Sequence, residues 1–115
     1  MGTEGSCFRE AFERLTQEFI VNPLVRPTTL QGFIEKMVSA FSGASLECKN
    51  YALTSEDVDF AASTVLRLLE TYYRGFSASS AAEQCRKIAR GLPSVRDKLC
   101  ASLSRLAEKV SVTGT

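Results

Sequence analysis

Few residues of this 115-residue chain could do chemistry, because it contains no histidine. Histidine supplies the commonest general base and metal ligand near neutral pH. Without it, a nucleophilic Ser or Cys would need Lys, Asp or Glu as its activating base. Glu56, Asp57 and Asp59 make the densest carboxylate group, and their place at the start of an apolar-periodic stretch explains them as capping charges. The seven glycines are scattered, which leaves no loop able to cradle a phosphate. This inventory predicts a chain that is not an enzyme and holds no cofactor.

Cys7, Cys48, Cys85 and Cys100 are the remaining reactive groups. Structural zinc sites use close Cys pairs, completed by further Cys or His, and these four are widely separated, so no metal site is expected. They could form disulfides, and Cys85 and Cys100 fall on adjacent predicted helices, where they could approach each other. Cys85 also lies on an apolar face, where a reduced cysteine is an ordinary small core residue. The expectation is therefore four free thiols in a reducing, intracellular and cytoplasmic setting. The start of the chain agrees with that setting, because it lacks the basic segment and apolar run of a secretory signal.

Charge is the other available chemistry. Residues 1–63 carry five Lys/Arg against nine Asp/Glu, a net of −4; residues 64–115 carry nine against four, a net of +5, for +1 in all. Arg86, Lys87 and Arg90 share the outer side of one predicted helix, Arg96 follows on the next, and Tyr72 and Tyr73 precede them. Tyrosine and arginine are favoured in binding hot spots, so these six residues are the candidate surface for an acidic protein partner. The plainer reading is that the acidic and basic halves complement each other inside the bundle, and that the tyrosines pack in the core with their hydroxyls at its rim. Nucleic acid is a weaker fit, since a pI near 7.6 is below that of a dedicated binder. Gly2 with Ser6 fits the short pattern for N-myristoylation, with Cys7 as a conceivable palmitoylation partner; membrane contact would follow only from that lipid.

These groups must be positioned by helices, because the apolar residues recur at helical spacing throughout. Phe8, Phe12, Leu15 and Phe19 make one face of a helix over 5–20, ended by the prolines at 23 and 27. Thr28 and Gln31 have capping-box spacing before a stripe running from Leu30 to Phe41, with Ser42-Gly43 as its stop and 44–53 as a connector. Thr54 caps a third helix, whose stripe Val58–Phe76 is broad enough to place it at the centre of the bundle. Ser80 with Glu83 opens a short fourth helix that ends at Gly91. Pro93 starts a fifth, with Val95, Leu99, Leu103, Leu106 and Val110 inward. The fold class is thus all-α: one domain over 1–115, a single compact bundle of five or six short amphipathic helices, ordered over about 5–110 with a frayed tail at 111–115.

From Leu53 onward, the capped Thr54-Ser55-Glu56-Asp57, the long helix Val58–Tyr73, the Ser-rich step Ser77-Ala78-Ser79-Ser80 and Gly91-Leu92-Pro93 before a Leu-rich helix resemble the N-terminal helical domain of the COMM-domain protein family. The resemblance covers residues 28–110 and is one of helix length and punctuation. It implies a non-enzymatic adaptor or scaffold in an endosomal-sorting or transcription-regulating assembly, with no catalytic residue to carry over. The chain departs from the family in having no tryptophan and no strand-rich C-terminal half, so the resemblance extends to the helical domain alone. The alternatives are a secreted or host-interacting helical factor held by disulfides, a lipid-anchored module and a nucleic-acid-binding module.

Overall fold

Amphipathic stripes that cannot be buried singly are buried together in five helices. The computed structural model describes the backbone of residues 3–89 and 94–114, and the side chains of 7–88 and 97–109. In chain order the elements are α1 (Thr3–Val21), a single 3₁₀ turn (Pro23–Val25), α2 (Leu30–Glu47), α3 (Ser55–Tyr72), α4 (Ala78–Ala89) and α5 (Ser94–Gly114). No strand occurs among the described residues. The Cα radius of gyration, 13.5 Å, is that expected of a compact domain of this length.

α1 and α2 form an antiparallel hairpin. Phe8 meets Phe41 edge-on at 5.2 Å between ring centroids, and Phe19 meets Phe33 at 5.4 Å nearer the turn. Phe8, Phe12 and Phe19 are buried as their spacing predicts. Leu15 is 40% exposed: it leans on Gly43, where an added Cβ would lie 3.1 Å from the leucine methyl. The inward polar residue Thr16 returns its hydroxyl to the carbonyls of Phe12 and Glu13, so its burial leaves no unpaired group.

Several boundaries differ from those expected. The cap of α2 is Thr29, which accepts from the Gly32 amide at 3.0 Å. Thr28 is not the cap, and Gln31 donates to Glu35 instead. Ser42-Gly43 does not stop the helix. Ala44 and Cys48 are buried beyond it, and their burial outweighs the helix cost of one glycine, about 1 kcal/mol. α3 opens on the expected cap, here a full capping box between Thr54 and Asp57. It ends at Tyr72, so Phe76 is exposed rather than part of the stripe. Ser77 takes the capping place expected of Ser80, accepting from the Ser80 amide at 3.1 Å. The tail expected to fray at 111–115 continues α5 to Gly114; no glycine or proline interrupts that helix before its last residue. The proposed breaks at Gly91 and Pro93 lie outside the described residues.

The centre of the bundle is also shared differently. α2 packs against α1, α4 and α5, whereas α3 packs chiefly against α5 and α1. Phe33, Ile34, Met37, Val38 and Phe41 of α2 are all buried. From α3, Val58, Ala61, Ala62, Val65, Leu68 and Leu69 complete the core.

Candidate functional site

The cysteines depart most from expectation. They are not free thiols: Cys7 is bonded to Cys48 and Cys85 to Cys100. The second pair is the one that adjacent helices allowed; linear spacing hides the first, because an antiparallel helix pair returns the chain to its own starting level. Cys7 near the start of α1 therefore meets Cys48 just past the end of α2, with Cα atoms 6.1 Å apart. Cys85 and Cys100 face each other across the α4–α5 hairpin at 5.5 Å. Each bridge thus closes one helical hairpin. Bonded sulfur is neither a thiolate ligand nor a palmitoylation site, so Cys7 drops out as a lipid partner. Gly2 lies outside the described residues. Among the described residues no group of three or more Cys, Asp or Glu could hold a metal ion, and no helix is long and apolar enough to cross a membrane.

The carboxylates at the start of α3 are occupied structurally. Asp57 is 1% exposed, completes the capping box and pairs with Arg9. Asp59 accepts from the Ser102 hydroxyl at 2.6 Å and pairs with Arg105. The Ser102 hydrogen bond, followed by the nearby charges of Arg105 and Lys109, holds its carboxyl below the ordinary value near 3.8. A group kept ionised in this way is a weak proton acceptor.

Tyr73 is not a surface residue. It is buried at the end of α3, its ring lies 4.6 Å from that of Phe33, and its hydroxyl donates to the Pro27 carbonyl at 2.5 Å. Burial raises its phenol pKa, against the opposing charge of Arg26. Tyr72 is half-buried, with the Arg26 guanidinium 3.9 Å above its ring. Arg26 also donates to the carbonyls of Phe19 and Ile20, satisfying the exposed end of α1. Both tyrosines therefore serve the junction of α1, α2 and α3 and offer no stacking platform beside the basic residues.

Arg86 and Lys87 are exposed on α4. Arg90 and the side chain of Arg96 lie outside the described residues. Arg86 borders a shallow depression that also contains Asp97, Glu108 and Arg105, so its charge has acidic neighbours. A larger open groove of about 980 Å³ runs between α3 and α5. Leu66, Leu69, Leu106 and Phe76 form its apolar surface, and Arg67, Arg74 and Lys109 stand beside it with Glu70. Sequence reading missed this groove because its two walls are distant in the chain. The one available signal was Phe76, an aromatic residue after the helix stop that still fits the helical stripe.

No known protein family, curated protein or solved structure matches this chain.

Proposed function

We propose that this chain is a non-catalytic, disulfide-stapled helical module of an oxidising compartment, secreted or extracytoplasmic, that binds another protein with an acidic surface. The pairing of all four cysteines, one bridge per hairpin, carries the reading. Disulfides persist in oxidising compartments and are reduced in the cytosol. Binding rather than catalysis is supported by what the titratable groups do: the described acidic clusters cap helices and pair with arginines. The excess of positive charge after residue 63 supports an acidic partner.

The test is a free-thiol count on protein recovered from its native source, alkylated at lysis and unfolded before assay. Near-zero labelling is expected. Four labelled thiols would replace this reading with the cytoplasmic adaptor of COMM type. In parallel, the intact chain is used as bait on extract from its native source. A defined set of proteins retained at physiological salt is expected, and an empty eluate would remove the protein-binding role.

A further inference from the structure

We infer that the Cys7–Cys48 bridge is a redox latch, opened by a dithiol reductant while Cys85–Cys100 stays closed, an inference that rests on the disulfide-stapled reading proposed above. Thiol–disulfide exchange requires a thiolate to reach one sulfur of the bridge, so access decides which bridge reacts. Cys7 is partly exposed and Cys48 is 6% exposed. Both line an open depression of about 310 Å³, together with Glu10, Arg14, Glu47 and Tyr51. Cys85 and Cys100 are 0% and 2% exposed. Cys100 borders the shallow depression beside Arg86, but its partner lies wholly inside the core.

Position in the fold separates the two bridges as well. Cys7 precedes Phe8, the first aromatic anchor of α1, and Cys48 follows Ala44, the last buried residue within α2. The bridge therefore sits at the open end of its hairpin, outside the contacts that hold the hairpin together. Phe8 meets Phe12 and Phe41, Arg9 pairs with Asp57, and Arg14 pairs with Glu47. None of these contacts involves sulfur, so opening the bridge leaves them in place. Cys85 is differently placed. Its buried neighbours on α4, among the described residues, are the small Ala81 and Ala82, so the second bridge is itself part of the packing of its hairpin.

The exchange runs in two steps. One reductant thiolate attacks the sulfur of Cys7, the more exposed of the pair. The S–S bond breaks, Cys48 leaves as a thiolate and takes up a proton, and Cys7 is held in a mixed disulfide. The second reductant thiolate then attacks the reductant's own sulfur in that mixed disulfide. Cys7 is released and protonated, and the reductant departs as a cyclic disulfide. Two electrons and two protons have passed from the dithiol to the bridge.

The latch is built to close again. The Cys48 amide donates to the Ala44 carbonyl at 3.1 Å, and the Tyr51 amide donates to the Cys48 carbonyl at 3.0 Å. These bonds keep the freed Cys48 thiol at the end of α2, while Cys7 stays within α1 beside Phe8. Reduction thus loosens the open end of the first hairpin and leaves the bundle assembled.

The test uses the intact, fully oxidised chain under native conditions, with dithiothreitol as the dithiol. Samples are alkylated at intervals, and the label on each cysteine is read by peptide mass spectrometry. Cys7 and Cys48 should be labelled together, about tenfold or more faster than Cys85 and Cys100. In denaturant the two rates should converge to within about threefold, because access is then equal. The species reduced at Cys7 and Cys48 alone should show amide chemical-shift changes confined to the neighbourhood of those two residues. Removing the dithiol in air should restore the Cys7–Cys48 bridge and the original spectrum.

Equal rates under native conditions, earlier labelling of Cys85 and Cys100, or resistance of both bridges would overturn the latch assignment. So would loss of the spectrum throughout the bundle when Cys7–Cys48 opens, or reoxidation to other pairings. If the cysteines of native-source protein are paired and the latch fails in any of these ways, only this assignment falls. If all four are free in native-source protein, the disulfide-stapled reading itself falls.

Discussion

Arg9 of α1 donates from Nε to Oδ1 of Asp57 at 3.1 Å, while Oδ2 of the same carboxylate accepts from the Thr54 amide at 3.3 Å. One buried carboxylate thus closes the capping box of α3 and ties that helix to α1, forty-eight positions earlier in the chain. The Arg9 guanidinium also lies 5.6 Å from the centre of the Phe60 ring. The two hydrogen bonds to the carboxylate offset part of the desolvation penalty of holding Asp57 inside the bundle.

Asp57→Ala is expected to destabilise the domain by about 2–3 kcal/mol, combining the lost cap with a lost charge-assisted hydrogen bond. Arg9→Ala should cost roughly 1–3 kcal/mol by leaving the carboxylate with less compensation. Urea unfolding of both variants and of the double variant measures this. Because the two residues share one interaction, the double variant should lose less than the sum of the singles. Additive losses would show that the pair is not coupled.

The two bridges should differ in weight. Loop-closure entropy assigns about 4 kcal/mol to Cys7–Cys48, which spans 41 positions, and about 3 kcal/mol to Cys85–Cys100, which spans 15. These are upper values, corresponding to falls in Tm of roughly 16 °C and 12 °C at the usual unfolding entropy per residue. Thermal melts of Cys7→Ala/Cys48→Ala and Cys85→Ala/Cys100→Ala would check the order. Melting points unaffected by either pair of substitutions would show that the bridges add nothing to the packing of their hairpins.

Asp59 makes acid stability titratable. Its folded pKa lies below its ordinary value, so the unfolded chain takes up the proton first as pH falls. Its contribution is fully present above the ordinary value near 3.8 and is lost as pH drops through the lower folded value. Asp59→Asn should lower stability at neutral pH and reduce the slope of stability against pH below about pH 4. Chemical denaturation at a series of pH values checks this, and an unchanged slope would show that Ser102 and Arg105 do not hold the charge.

Two glycines should respond oppositely to alanine. At Gly32 a Cβ would lie 2.8 Å from Cβ of Pro27, whose ring has little freedom to withdraw. Gly32→Ala should therefore cost about 1–3 kcal/mol. At Gly75 a Cβ meets nothing within 4 Å, so Gly75→Ala should stabilise by about 0.4–1 kcal/mol through the unfolded chain. Equal effects in the same assay would contradict the close approach of Pro27 to α2.

The sequence by itself determined what each stretch does locally. The phenylalanines of α1, the stripe of α2 and the Thr54 cap act through neighbours within a few positions, where side-chain spacing and backbone hydrogen bonding dominate. The all-α class follows from those terms alone. Tertiary contact overrode local preference at Gly43, where burial of Ala44 and Cys48 carried α2 onward, and at Thr29, where Pro27 packs against Gly32 under the first turn. Of the cysteine pairs, Cys85–Cys100 was legible as a possibility from adjacent helices, but Cys7–Cys48 was invisible for a related reason: residues 41 positions apart meet only because an antiparallel hairpin folds back on itself. Tyr73 looked available because an amphipathic side chain reads the same at a surface or at a core rim. Its bond to Pro27 decided between them. The α3–α5 groove belongs wholly to the tertiary level: Arg67, Phe76 and Leu106 line one space only after α3 and α5 have packed, and no periodicity in one helix records a surface built from another.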